Sequence, residues 1–128
     1  MILSITNVLK LCYLLSSYYE IPPEILPAMI RVESDFKQTA VSCKNAVGLM
    51  QVTEPAFDCF VRANRNHRIK RFEQVKTSWE DNLRVGAWYL ARRCYKGNWK
   101  DAISRYFWGP DSTRMTDTYY NKVKEAQK

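Results

Sequence analysis

Residues 25–36 read ILPAMIRVESDF. Leu26, Met29 and Ile30 recur at steps of three and four, the period of one helix face, and Phe36 or Lys37 extends it. Glu33 falls on that same face, four residues after Met29 and three after Ile30. A carboxylate among apolar side chains is either paired, with an arginine or a helix N-terminus, or its pKa rises until it is protonated near neutrality. In the second state it can donate a proton to a leaving-group oxygen. Periodicity alone leaves both readings open.

Outward from this stretch the chain continues to read as helix. Pro22-Pro23 breaks an earlier helix and opens the one bearing Glu33, since proline is tolerated in a first turn. In that earlier helix Ile5, Val8, Leu9, Cys12, Leu15 and Tyr19 trace one face. Its one charge, Lys10, lies mid-segment, whereas a signal peptide carries its charge first and then an unbroken apolar run. Ser4, Thr6, Asn7, Lys10, Ser16 and Ser17 also interrupt it too often for a membrane span.

Downstream, Gln38 to Val47 lacks periodicity and reads as a loop. Thr53 caps a helix opened by Glu54-Pro55, with Phe57, Phe60, Val61 and Asn64 along its face. Arg62 to Arg71 is a basic linker without an acid. Thr77-Ser78-Trp79-Glu80 has the form of a capping box. Behind it Trp79, Leu83, Gly86, Ala87, Leu90, Ala91 and Cys94 form the longest periodic stripe, stopped by Gly97. Helices over Trp99 to Phe107 and Thr116 to Ala126 complete the reading. The expected fold is all-α, about six helices around a cleft with little or no β structure, in a single domain spanning 1–128.

Composition sets the outer limits. The 128 residues are 46% hydrophobic and 26% charged, with four Gly and five Pro, which excludes disordered and low-complexity classes. Twenty Lys and Arg against 13 Asp and Glu leave a net charge of +7. That balance suits a polyanionic partner: nucleic acid, anionic lipid or bacterial cell wall. The four cysteines, Cys12, Cys43, Cys59 and Cys94, form no C-x-x-C pair, and His67 is the only histidine, so no zinc site is expected. Two disulfides and buried free thiols are equally compatible with the cysteine count.

Five short motifs in order give a more specific reading. Glu33-Ser34-Asp35-Phe36, then Ala40-Val41-Ser42, then Gly48-Leu49-Met50-Gln51, resemble the soluble lytic transglycosylase family, with its lysozyme-like catalytic domain. Asn82, Gly86, Tyr89 and Leu90 are similar to that family's Asn-x-x-x-Gly-x-x-Tyr-Leu helix. Ala102 to Pro110 is similar to its Ala-x-x-x-Tyr-Asn-x-Gly-Pro segment. The resemblance covers about 20 to 125. It implies that Glu33 is the catalytic acid/base, that Ser42 and Gln51 contact the sugar, and that Tyr106 is the tyrosine near the acid. Met50 and Leu49 read as core residues. The chain departs from the family at Phe107, where an Asn is usual, and at Trp108, where a small residue is usual; the two aromatics either stack on a pyranose or pack.

The same resemblance implies a reaction. Glu33 protonates the oxygen linking N-acetylmuramic acid to N-acetylglucosamine, then accepts the proton of the muramic C6 hydroxyl as it closes on C1. A 1,6-anhydro sugar results, with no metal and no cofactor. The expected partner is the peptidoglycan glycan strand, met at the cell wall in the periplasm or outside the cell. With no signal peptide readable, a phage particle, a secretion apparatus or excision from a longer chain would each supply a route. Ordinary glycosidases use two carboxylates, and Asp35 and Asp58 are poor second candidates. A muramidase of the same fold is the first alternative. A basic helical nucleic-acid binder centred on Arg62 to Arg71 is the second, and a weakened domain kept for wall binding the third.

Overall fold

The computed structural model describes residues 3–113 and 117–128; among them seven α-helices form and no strand, as the periodicity predicts. They are α1 (Ile5–Tyr19), α2 (Ile25–Ser34), α3 (Glu54–Ala63), α4 (Phe72–Thr77), α5 (Trp79–Tyr89), α6 (Trp99–Trp108) and α7 (Thr118–Ala126). A π-helical turn, Leu90–Cys94, extends α5 and closes with Tyr95 N–H donating to the Leu90 carbonyl at 3.0 Å. Thr116, expected to begin the last helix, lies outside the described residues.

Local chemistry sets most helix boundaries where expected. Glu20 adopts a left-handed conformation (φ 59°) and ends α1. Pro22 and Pro23 follow, but α2 starts two residues later, with Pro27 in its first turn where an N–H has no intrahelical acceptor. Thr53 Oγ accepts from Ala56 N–H and caps α3. The cap of α5 differs from the expected one. Ser78 rather than Thr77 takes the role, accepting from Asp81 N–H at 3.2 Å, because Thr77 already belongs to α4. That six-residue helix lies between the basic linker read at Arg62 to Arg71 and the expected cap, in a stretch assigned no element, and its one fully buried side chain, Val75, leaves too little periodicity to see.

The buried stripe of α5 is the one expected: Trp79, Leu83, Gly86, Ala87, Leu90, Ala91 and Cys94 all face the core. The buried face of α1 is rotated. Val8, Leu11, Cys12, Leu15 and Ser16 point inward while Ile5 and Leu9 are exposed. That helix is apolar round most of its circumference, so period alone does not choose the arc that meets α5. All four cysteines are free thiols; Cys12 and Cys94 are buried, and burial pushes both thiols up to about 12.

The segment between α2 and α3 folds back on itself without forming a strand. Val47 and Val52 exchange both backbone hydrogen bonds, 3.0 and 2.9 Å, across the turn Gly48-Leu49-Met50-Gln51. Asn82, fully buried on α5, holds this turn. Its Oδ1 accepts from Met50 N–H at 2.8 Å, and its Nδ2 donates to the Val47 and Val75 carbonyls at 2.8 and 2.9 Å. Two glycines make the approach possible. A Cβ on Gly48 (φ 77°) would lie 2.2 Å from Asn82 Nδ2, and one on Gly86 would lie 2.5 Å from Met50 Cβ.

Replacing Asn82 by Ala, or by Leu of similar volume, removes all three bonds and strands Met50 N–H in the core. A loss of about 3 kcal/mol or more in unfolding free energy is expected, read as a lower urea midpoint. A shift under about 0.5 kcal/mol, the range of ordinary surface substitutions, would show that the turn is held by other means.

Candidate active site

Glu33 sits one residue from the end of α2. The helix stops because Asp35 (φ 51°) and Phe36 (φ 62°) both turn left-handed, a conformation that costs energy in side chains of this size. Phe36 is therefore not on the helical face expected for it. Asp35 is exposed beyond the helix end rather than within it. The neighbouring Ser34 hydroxyl is buried and donates to the Leu49 carbonyl at 2.9 Å as well as to the Ile30 carbonyl at 3.1 Å. The end of α2 is thus tied to the turn that Asn82 holds.

The partner of the Glu33 carboxyl comes from the far end of the chain. Tyr119, buried on α7, donates its hydroxyl to Glu33 Oε2 at 2.5 Å. Among the described residues no arginine and no helix N-terminus pairs with Glu33. Burial raises the carboxyl to about 7, and the Tyr119 hydrogen bond pulls in the opposite direction by favouring the charged form. No second carboxylate contributes to this shift. Tyr119 is itself pushed well above the usual tyrosine value, first by burial and then by the Glu33 charge.

Tyr106 lies close to the acid without bonding it. Its hydroxyl donates to the Met50 carbonyl at 2.6 Å, its ring meets Tyr89 edge-on at 5.7 Å, and burial followed by the Glu33 charge holds its proton firmly. Gln51 is left-handed (φ 50°), and its Nε2 donates to the Ala40 and Gly48 carbonyls, both at 3.1 Å. Ser42 Oγ accepts from Lys44 and Ala46 N–H at 3.2 and 3.1 Å, ordering the tip of the preceding loop. Glu33, Gln51 and Tyr106 are thus linked through the one Met50 turn and its neighbours, while Ser42 organises the loop beside it.

One residue of the site, Tyr119, escaped the sequence reading. Tyr119 stands 86 positions from Glu33 and looks like one more aromatic on an amphipathic helix. Phe107, where the pattern departs, stacks on the Tyr119 ring at 4.9 Å with planes 16° apart, and Trp108 meets Phe107 edge-on at 4.8 Å. Phe107, Trp108, Thr118, Tyr119 and Lys122 line an adjoining open cleft of about 310 Å³. The basic linker stands apart from this cluster. Arg68 forms a two-pronged pair with the buried Asp81, so one of its cations serves the fold.

The family pattern described as Transglycosylase SLT domain matches residues 15–128. The chain belongs to this family of lysozyme-like lytic transglycosylases, enzymes that cleave peptidoglycan. No curated protein matches the chain.

The shift of Glu33 has two consequences. Its folded value exceeds the usual 4.5, so the stability it contributes is full below about 4.5 and is lost as pH rises through about 7. Replacing Tyr119 by Phe removes the bond that favours the charged form, so the Glu33 pKa should climb further above 7. Carboxyl-carbon NMR titration of the two proteins reads this directly. An unchanged or lower midpoint in Tyr119→Phe would mean that the hydroxyl does not act on the acid.

Proposed function

We propose that this chain cleaves the β-1,4 bond between N-acetylmuramic acid and N-acetylglucosamine without water, using Glu33 as its single general acid/base. The observation that carries this reading is the state of Glu33: a carboxyl shifted to about 7 by burial, bonded to one tyrosine hydroxyl, with no second carboxylate acting on it. A retaining hydrolase would set its second carboxylate about 5 to 5.5 Å away, where the two charges would couple strongly. Asp35 and Asp58 are both exposed and contribute nothing to the Glu33 shift, which suits neither as that partner.

In the first step protonated Glu33 gives its proton to the bridging oxygen, and the bond to muramic C1 breaks as N-acetylglucosamine leaves. The carboxylate so formed then accepts the proton of the muramic C6 hydroxyl while that oxygen bonds to C1. The hydroxyl is tethered to the reacting ring, equivalent to an effective concentration of about 10⁵ M or more, and needs no second base to poise it. Glu33 ends protonated and ready for another cycle.

The remaining residues take supporting roles. Both N–H groups of the Gln51 amide are spent on backbone carbonyls, which leaves its oxygen to accept from a sugar hydroxyl or amide. The Ser42 hydroxyl accepts two backbone amides and retains its own proton to donate to the glycan. Tyr106 donates its hydroxyl to the Met50 carbonyl and so braces the turn beside the acid. One face of Phe107 is committed to Tyr119; the side chain is 53% exposed, and its outer face suits a pyranose ring.

Digestion of purified murein, followed by mass spectrometry, tests the reaction. Products should be lighter by one water than those of hydrolysis and should resist borohydride reduction. Reducible muramic ends as the main product would overturn the lyase reading in favour of a muramidase. Replacing Glu33 by Gln should lower the rate by at least about 10² to 10⁴ with helicity unchanged. Wild-type clearance by that variant would remove Glu33 from the mechanism.

A further inference from the structure

The first helix is apolar on two sides. Val8, Leu11, Cys12 and Leu15 occupy the core, while Ile5, Leu9, Tyr13, Leu14 and Tyr18 stand outward with exposures of 54, 42, 69, 63 and 73%. Five large exposed side chains on one 15-residue helix, with Thr6, Lys10 and Ser17 between them, form a patch rather than scattered singles. Ile5, Leu9, Tyr13 and Leu14 also precede residue 15, where the family match begins, so the domain's shared pattern does not explain them.

The charges around this arc are mostly positive, the one acid being the exposed Glu20 that ends α1 and borders a depression with Tyr13 and Ser17. Within α1 the only charge is Lys10, which borders a shallow depression with Thr6, Leu9, Tyr13 and Leu14. On the other flank Leu14 and Tyr18 help to wall a cleft of about 410 Å³ that Arg84 borders. Beside it the Arg92 guanidinium lies 4.9 Å from the Tyr19 ring centre. Lys10, Arg84 and Arg92 are all exposed, and the whole chain carries +7.

We propose that the outward face of α1 docks in the plane of an anionic lipid bilayer. Leu9, Leu14 and Ile5 enter the boundary between headgroups and acyl chains. Tyr13 and Tyr18 keep their hydroxyls at headgroup level, and Lys10, Arg84 and Arg92 meet lipid phosphates. At 15 residues α1 is about 22 Å long, short of the ~30 Å hydrocarbon core. Its inner face is committed to the protein, so the contact is interfacial and not a span. A second copy fits this face less well. An arc of that length and about 10 to 15 Å width offers roughly 300 Å², against the ~800 Å² per partner of a standard interface.

Co-sedimentation with vesicles of phosphatidylcholine containing phosphatidylglycerol, and with phosphatidylcholine alone, tests the proposal. The parent should sediment with the anionic vesicles and far less with the neutral ones. The double variant Leu9→Ser, Leu14→Ser keeps the net charge and alters only exposed positions; its partition should fall about tenfold or more. Equal binding by that variant would assign the attraction to charge elsewhere and overturn the proposal, as would no binding by the parent. A dimer that the double variant abolishes, without vesicle binding, would give the face to a second copy instead. Tyr13→Trp supplies a readout independent of the double variant: its added emission should shift to the blue with anionic vesicles, and an unshifted spectrum would overturn the docking geometry.

Discussion

The candidate site hangs on one buried carboxamide. Asn82 replaces the hydrogen bonds that a strand would have supplied, and through them it fixes a turn that has no regular structure of its own. Three other elements then attach to that turn. Ser34 on α2 donates to the Leu49 carbonyl, Tyr106 on α6 donates to the Met50 carbonyl, and Gln38 accepts from Leu49 N–H while donating to the Val75 and Lys76 carbonyls. The end of α2, and with it Glu33, is therefore positioned by contacts to backbone atoms of one short turn. Such a device is rigid because every buried polar group in it has a partner.

The same turn explains where backbone strain collects. Among the described residues five non-glycines have positive φ, and three of them, Asp35, Phe36 and Gln51, follow the acid or close the turn that Asn82 holds. Left-handed conformations at such residues persist only where the surroundings over-determine them. Here the Ser34 and Asn82 bonds do so. Asp35 and Phe36 end α2 abruptly, which leaves Glu33 in the last turn of an otherwise buried helix instead of in its middle. A carboxyl there is covered enough for burial to raise its pKa, and on the proposed reaction it stands near enough to the helix end to meet the glycan.

Much of this was legible in the chain itself. The long stripe of α5 is read correctly because small and apolar residues repeat over four turns with polar positions between them. Glu33 stands out because an acid on an apolar face is rare, and the motif spacing brings Gln51 and Tyr106 to the same turn. The failures have physical causes. α1 offers two apolar arcs, so its period carries no phase, and the solvent-facing arc is invisible until the packing is known. α4 is too short to display a period. Tyr119 is missed because its role is a contact across 86 residues, and no local pattern encodes a hydroxyl aimed at a distant carboxyl.

A single group that first gives and later takes a proton works best with a pKa near the ambient pH, since a stronger acid is a weaker base. Burial alone would carry Glu33 further up, making it a sluggish donor. The Tyr119 hydroxyl opposes that rise, and it does so with a proton that its own burial and the nearby acid hold firmly, so tyrosine does not compete as the acid. The strength of this correction depends on geometry, because a hydrogen bond weakens steeply as its angle opens. Phe107, parallel to the Tyr119 ring, restricts that ring's tilt. On the proposed reaction the departure from the family's usual asparagine therefore bears on proton transfer as well as on sugar contact.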